Sequence, residues 1–313
     1  MVDLLASPLH RLDLPALTRA GVQLFLKRDD LIDPHFGGNK WRKLKYNLRK
    51  AREMNARALL TFGGAYSNHI HAVAAAGQKF GMQTIGVIRG EAASASNTTL
   101  TFAQACGMHL HFVDRAHYQK KTDSAWLLQL EDEFGPFYHL PEGGSNGLAL
   151  PGCAEIVGEL DLQLPSGYDV LAVPLGSGGT LAGLVSGMVG RASQVQGYAV
   201  LKGEADLAQR VTQLLAGAGV GNAASWRIDS RYHFGGYARC DAELFGFLNE
   251  FRQTTGVQLD PIYNGKMLYG LLENIRRGEF ARGTRIVALH TGGLQGWVGI
   301  ARKYKLNEGS YQL

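Results

Sequence analysis

Short apolar runs alternate with longer stretches of mixed polarity along most of the chain. ALLTFG (58–63), QTIGVI (83–88), HLHFVD (109–114) and DVLAVPLG (169–176) are bounded by glycine or charge, which predicts strands. Between them, NHIHAVAAAGQKFG (68–81) and TLTFAQACG (99–107) predict helices. Strand and helix in alternation make β-α-β units and a parallel sheet. Residues 50 to 150 supply four such units, and from residue 169 a second series follows, with QVQGYAV and RIVALH separated by long helices. The pattern therefore predicts two α/β layers with a cleft between them. Ligands in such folds bind at the carboxyl ends of the strands, where this chain has its glycine-rich turns.

Composition narrows the class without naming a chemistry. The 313 residues are 45% hydrophobic, enough to bury a sizeable core. A net charge of +5 is small and spread out, so neither nucleic acid nor an acidic membrane surface is implied as a partner. The 41 glycines gather at the ends of apolar runs and punctuate the elements rather than disorder them. Cys106, Cys153 and Cys240 lie far apart with no C-x-x-C spacing, so neither a disulfide framework nor a zinc cage is suggested, and a cytosolic setting is expected. The N-terminal MVDLLASPLHRLDLP has no signal-peptide pattern, and no apolar run is long enough to span a membrane.

Candidate chemistry sits in the turns. VPLGSGGTLAGL (173–184) follows a strand and opens a helix, so the backbone N–H groups of Ser177 to Thr180 converge on one point and can cradle an anion. Leu181 stands where a dinucleotide fingerprint needs glycine, which counts against a nucleotide-binding oxidoreductase. TFGGAYSNHIHAVA (61–74) sets Ser67, Asn68 and His69 at the first turn of a helix, a position that suits a carboxylate and equally suits a simple N-cap. In FGGNKWRKLKYNLRK (36–50), Trp41, Leu44 and Leu48 form an apolar stripe. Arg42, Lys45, Arg49 and Lys50 read as a solvated face. Lys40 alone lies beside the diglycine in the first turn, where the helix dipole favours the neutral amine, and a lowered lysine pKa is what imine chemistry needs. His109 and His111 share a strand face without a third metal ligand, and His69 and His71 diverge on their helix, so no metal is expected.

Seven segments, in this order, resemble the signatures of one family: RDDL (28–31), GGNKWRKL (37–44), GGAYSNH (63–69), PEGGSN (141–146), GSGGT (176–180), DPIYNGK (260–266) and HTGG (290–293). The family is that of D-cysteine desulfhydrase and 1-aminocyclopropane-1-carboxylate deaminase, pyridoxal-phosphate enzymes of fold type II. The resemblance implies a tryptophan synthase β-like fold of two domains, each with a mostly parallel twisted sheet. Residues 1–48 and 152–313 would form the large domain and 49–151 the small one, with the active site between them. It implies that Lys40 forms the internal aldimine with pyridoxal 5'-phosphate. Gly176, Ser177, Gly178, Gly179 and Thr180 would hold the phosphate with help from Lys43, Asn68 the ring hydroxyl, and Thr291 the pyridine nitrogen. Ser67, Asn68 and His69 would meet the substrate carboxylate, with Tyr237 and Tyr263 around the substrate. A homodimer acting on a small amino acid is expected.

The resemblance also bears on substrate. Cyclopropane-opening members have glutamate at the position of Asn264 and leucine at that of Thr291; here neither residue carries charge, which favours β-elimination from D-cysteine. The desulfhydrases usually have threonine at 264 and GGIQSNH in the earlier turn, so Asn264 and Tyr66 depart from their pattern. Aminocyclopropane carboxylate, serine and L-cysteate are the alternative substrates, and a non-catalytic carrier of the cofactor is the alternative role.

Overall fold

The computed structural model describes residues 6–91, 97–203, 206–221 and 223–306. Two sheets organise them. The larger has six strands in the order β1 (Leu9–Leu12), β2 (Gln23–Arg28), β10 (Arg285–His290), β7 (Val170–Leu175), β8 (Gln194–Ala199) and β9 (Trp226–Asp229). All its pairings are parallel except β1 with β2, where Leu9 faces Lys27. The smaller sheet is wholly parallel, in the order β5 (His109–Val113), β4 (Gln83–Arg89), β3 (Ala58–Gly64) and β6 (Phe137–Leu140).

Helices cover the faces because the central strands are apolar on both sides. Every residue of β7 is buried; Val170 and Ala172 enter one core, Leu171, Val173 and Leu175 the other. In β3 the same alternation sends Leu59 to one side and Leu60 and Phe62 to the other. The small sheet carries α3 (Asn68–Phe80), α4 (Thr98–Ala105), α5 (Arg115–Gln119) and α6 (Ser124–Phe134). The large one carries α1 (Pro15–Ala20), α7 (Ala149–Gln163), α8 (Gly179–Gly187), α9 (Leu207–Gly217), α10 (Ala242–Thr255), α11 (Asn264–Arg276) and α12 (Gly296–Tyr304).

Helix α2 (Asn39–Glu53) joins the two layers. Its stripe of Trp41, Leu44, Leu48 and Ala51 packs in the core of the small sheet, and its other side lies on α7 so closely that a Cβ on Gly152 would come within 1.9 Å of the Arg42 carbonyl oxygen. The domain boundary expected between residues 48 and 49 thus falls inside one continuous helix.

The basic face of α2 differs from its sequence reading. Arg49 and Lys50 are exposed, whereas Arg42 is buried. Its guanidinium is forked between Asp29, at 3.1 and 3.0 Å, and Glu159, at 2.5 and 3.0 Å; Lys27 donates to the same Glu159 at 2.6 Å. Lys45 bonds Glu155 at 2.9 Å. These cations are drawn in because α7 presents carboxylates to them. His109 and His111 flank the ring of Phe134, and His71 stacks on Phe102 at 4.0 Å. The three cysteines are free thiols, and among the described residues no helix is long and apolar enough to cross a membrane.

Candidate active site

A cavity of about 1000 Å³ opens between the two layers. Its first component is the start of α2. Gly38, at φ 71°, packs so tightly on the turn after β10 that a Cβ there would lie 2.1 Å from the Thr291 carbonyl oxygen. Glycine is required at this point, and the contact fixes Lys40 against that turn. The Lys40 ammonium donates to Asn39 Oδ1 at 3.1 Å. Its pKa falls from 10.5 to about 7, first through burial and then through the nearby charge of Lys43. Burial and a second lysine therefore shift it, where the sequence had pointed to the helix dipole. Lys43, pushed down to about 8 by burial, donates to the Gly143 carbonyl and to Ser145 Oγ at 3.3 Å.

The second component is the turn from β7 into α8. Gly178, at φ 92°, opens the helix and has no side chain to cap it, so the first N–H groups of α8 lack a side-chain cap among the described residues. Gly176, Ser177, Gly178 and Thr180 line the cavity. Gly179 lies behind them, where a Cβ would come 2.5 Å from Ser145 Oγ. Two links tie this turn to its neighbours: Asn39 Nδ2 donates to Thr180 Oγ1 at 2.9 Å, and Ser145 and Ser177 share a hydrogen bond at 2.7 Å. Asn39 and Ser145 stand inside segments that the sequence marks, GGNK and PEGGSN, yet sequence alone assigned them no part.

Across the cavity, Ser67 caps α3 by accepting from the N–H groups of His69 at 3.2 Å and Ile70 at 3.3 Å. Its own hydroxyl proton stays available, as does the N–H of Asn68 at the helix start. Asn68 faces the 290–293 turn, where a Cβ on Gly293 would meet its Nδ2 at 2.6 Å. His69 differs from expectation. Its Nε2 bonds Thr61 Oγ1 at 2.8 Å, and because Thr61 gives its proton to the Leu140 carbonyl, the histidine must be the donor. Its Nδ1 is buried beside Gly144 with no hydrogen-bond partner among the described residues, and burial with the charges of Lys43 and Lys40 holds the ring neutral. The imidazole is therefore withheld from a carboxylate, and its backbone N–H is already used by Ser67.

Tyr263 and Tyr237 form the remaining wall, their ring centroids 6.2 Å apart. Burial holds the Tyr263 phenol well above its ordinary pKa, whereas Tyr237 is 46% exposed at the cavity mouth. Tyr263 lies against Gly176, where a Cβ would meet its ring at 3.1 Å. Lys266 supports the Tyr237 loop by donating to the carbonyls of His233 at 2.9 Å and Gly236 at 2.7 Å. Thr291 lines the cavity, whereas Asn264 is wholly buried behind it. Tyr66 spans from the Ser67 turn to α12, its ring pressed on Gly299.

An uncapped helix N-terminus suits a phosphate, and a lysine of pKa about 7 suits the aldehyde of the same small molecule; glycines at 176 and 179 leave the cradle open between them. These residues fit pyridoxal phosphate on an α/β frame of fold type II. From residue 4 to residue 292 the chain matches the model of the pyridoxal-phosphate dependent enzymes. It is 31% identical over 310 residues to the bifunctional D-cysteine desulfhydrase/1-aminocyclopropane-1-carboxylate deaminase, mitochondrial, of Arabidopsis thaliana, covering 93% of this chain and 77% of that one. To the D-cysteine desulfhydrase of Klebsiella pneumoniae it is 28% identical, covering 93% of each. The crystal structure of an ACC deaminase homologue superposes with a TM-score of 0.83 at 29% identity, covering 98% of this chain and 96% of that one. The protein belongs to the D-cysteine desulfhydrase/1-aminocyclopropane-1-carboxylate deaminase family of pyridoxal-phosphate-dependent lyases, which act by elimination on small amino acids.

Proposed function

We propose that the protein converts D-cysteine and water to pyruvate, sulfide and ammonia by α,β-elimination. The observation that carries this reading is the neutral end of the cavity: Thr291 bonds Asn264, and no carboxylate of the described residues bonds Thr291. Pyridoxal phosphate, bound through Lys40, supplies the electron sink that accepts charge from the substrate Cα. With a hydroxyl rather than a carboxylate beside it, that sink is gentler, sufficient for a thiol to leave and less suited to opening a cyclopropane.

The chain's own groups divide the remaining work. Gly176 to Thr180 and Lys43 hold the phosphate, Asn68 the ring hydroxyl and Thr291 the ring nitrogen. The Ser67 hydroxyl and the Asn68 N–H hold the substrate carboxylate, and the His69 imidazole keeps their helix in position from behind. Lys40, with its amine largely free of a proton above about pH 7, removes the Cα proton. Tyr263, a neutral phenol at any working pH, and Tyr237 confine the substrate. The same reading makes the protein a cytosolic homodimer with one domain on each sheet.

Lys40→Ala should lose both the bound chromophore and turnover. Incubating the loaded protein with D-cysteine, L-cysteine, D-serine and aminocyclopropane carboxylate should give pyruvate from D-cysteine. Oxobutyrate from the cyclopropane at a comparable rate would overturn the substrate assignment.

A further inference from the structure

The turn that presents Ser67 rests on the opposite layer through a side chain that the groups above leave without a part. The Ser67 N–H bonds the Gly64 carbonyl at 3.0 Å, and this tight turn at the end of β3 sends the side chain of Tyr66 away from the small sheet and onto α12. The ring lies along Gly299, where a Cβ would meet Cδ1 at 2.9 Å, Cγ at 3.2 Å and Cε1 at 3.3 Å. Asn68, on the far side of Ser67, is seated in the same way: a Cβ on Gly293 would come 2.6 Å from its Nδ2, and one on Gly296 4.0 Å from its Oδ1. Tyr66, Ser67 and Asn68 all line the cavity.

Gly299 sits inside α12 without a positive φ, so the backbone there does not require glycine, and alanine would be the better helix former. The missing side chain makes room for the Tyr66 ring instead. The Tyr66 hydroxyl meets Arg302 at 3.5 Å, a long and weak bond, so the ring carries the contact. Helix α12 is itself fixed: Trp297 and Ile300 enter the core of the large sheet, and the Trp297 indole donates to the Leu259 carbonyl at 2.8 Å. The stretch from Thr291 to Gly299 therefore touches both halves of the site. At its start, Gly38 packs on the Thr291 carbonyl and places Lys40; further along, Gly293 and Gly299 receive Asn68 and Tyr66 and place the Ser67 turn.

Resting on the elimination reading above, we propose that Tyr66 is a positioning residue for the substrate carboxylate: its ring, seated against Gly299, holds the Ser67 turn on α12 and so sets the span from the Ser67 hydroxyl and Asn68 N–H to Lys40. A misplacement of about 1 Å in such a constellation can cost about 100-fold. The carboxylate is held before and during the reaction alike, so the loss falls on KM rather than on kcat. It is also common to all substrates, because every amino acid brings the same carboxylate whatever leaves from its Cβ.

The test compares Tyr66→Ala, Tyr66→Phe, Gly299→Ala and the double variant Tyr66→Ala/Gly299→Ala in the loaded enzyme. In Tyr66→Ala, KM for D-cysteine should rise about 10-fold with kcat within about threefold and the bound chromophore intact. Tyr66→Phe keeps the ring and should behave as the wild type. Alanine, which has the carboxylate but no leaving group, is titrated as both enantiomers against the absorption of the bound cofactor, and its affinity should fall by the factor by which KM rises. Gly299→Ala should raise KM several-fold by displacing the ring, yet add less than about twofold in the Tyr66→Ala background, where nothing opposes the new methyl. Melting of the cofactor-free protein should show the same pairing: Gly299→Ala lowers the midpoint alone and raises it beside Tyr66→Ala. Effects of the two substitutions that simply multiply overturn the proposal, since ring and glycine would then act separately. So does a loss in kcat at constant KM, an unchanged alanine affinity in Tyr66→Ala, or a Tyr66→Phe as poor as Tyr66→Ala. A loaded protein that binds alanine but processes no amino acid overturns the elimination reading, while its alanine affinities still decide the part of Tyr66; one that does neither overturns both.

Discussion

The side-chain carbonyl of Asn264 accepts two hydrogen bonds from Thr291, one from its backbone N–H at 2.9 Å and one from its hydroxyl at 3.1 Å. The Asn264 amide nitrogen donates to the Asp260 carboxylate and to the Gly292 carbonyl at 2.8 Å. One buried side chain thus ties the 260–264 turn to the 290–293 turn. Asp260 completes the brace by accepting from the N–H groups of Ile262, Tyr263 and Asn264. The Thr291 hydroxyl can turn its proton from Asn264 to the cavity, as an unprotonated ring nitrogen requires, because its backbone N–H keeps the bond to Asn264. Asn264 therefore acts on the ring end of the site through Thr291, without meeting the cavity itself.

Asn264→Asp should be strongly destabilising. The new carboxylate can still accept from Thr291, but it replaces an N–H donor facing Asp260 and Gly292 with an acceptor, inside a site where both residue 264 and Asp260 are 0% exposed. Leaving such groups unpaired costs about 1–3 kcal/mol, more for charged ones. Urea unfolding measures it, and a change below about 0.5 kcal/mol would show that the brace is slack.

Lys266→Met tests the support of the Tyr237 loop. The ammonium bonds two loop carbonyls, and burial has lowered its pKa to about 8. Methionine fills the space without the donors, so the loop should loosen while the core under α11 holds. KM for the amino acid should rise several-fold, with the bound chromophore retained. An unchanged KM would mean that the loop is held by its own backbone.

Arg42→Met addresses the charged joint between α2 and α7. Removing the guanidinium leaves Asp29, which is 0% exposed, with the Ser7 hydroxyl but no cation bonded to it, and leaves Glu159 with Lys27. Breaking a buried ion pair by deleting one partner costs about 3–5 kcal/mol. Thermal and denaturant unfolding should both report the loss. A stability within about 1 kcal/mol of wild type would mean that water replaces the arginine.

Much of this architecture is legible in the chain because its central strands are continuous apolar runs closed by glycine. RIVALH coincides with β10, and ALLTFG and DVLAVPLG fall within a residue of β3 and β7 at each end. Edge strands were harder to see: β1 and β9 each bury a single residue, Leu12 and Asp229, so neither carries a periodic signal. The glycine turns of the site were readable for the same steric reason that they are needed, as at Gly38 and Gly178. Burial of charge was not readable. Arg42 looks like a surface residue until Glu159, 117 positions away, comes beside it. His69 looks like a ligand until Thr61 claims it from the neighbouring strand.

The two lysines of the cavity give the cofactor-free protein a predictable pH dependence. Unfolded, each keeps its proton up to about pH 10.5; folded, Lys40 releases it near pH 7 and Lys43 near pH 8. Between these values the unfolded chain binds more protons, so stability rises with pH. Put the other way, the stability present above the unfolded pKa is lost as pH falls through the folded ones. Buried phenols and thiols reverse the trend above about pH 9, because Tyr263 is raised well above 10 and Cys153 to about 12. Histidines contribute lower down, His71 having been pushed to about 4 by burial. The denaturant midpoint should therefore climb from about pH 6.5 to about pH 8.5. Lys40→Met should flatten the profile below about pH 8 and reduce its slope above, whereas Lys43→Met should reduce the slope above about pH 8 and move the onset of the remaining rise upward, because the charge of Lys43 helps to lower the Lys40 pKa. Loading with pyridoxal phosphate, which engages the Lys40 amine, should act like Lys40→Met. A flat profile in the cofactor-free wild type would mean that both amines are solvated, and with them would go the case for Lys40 as a base near neutral pH.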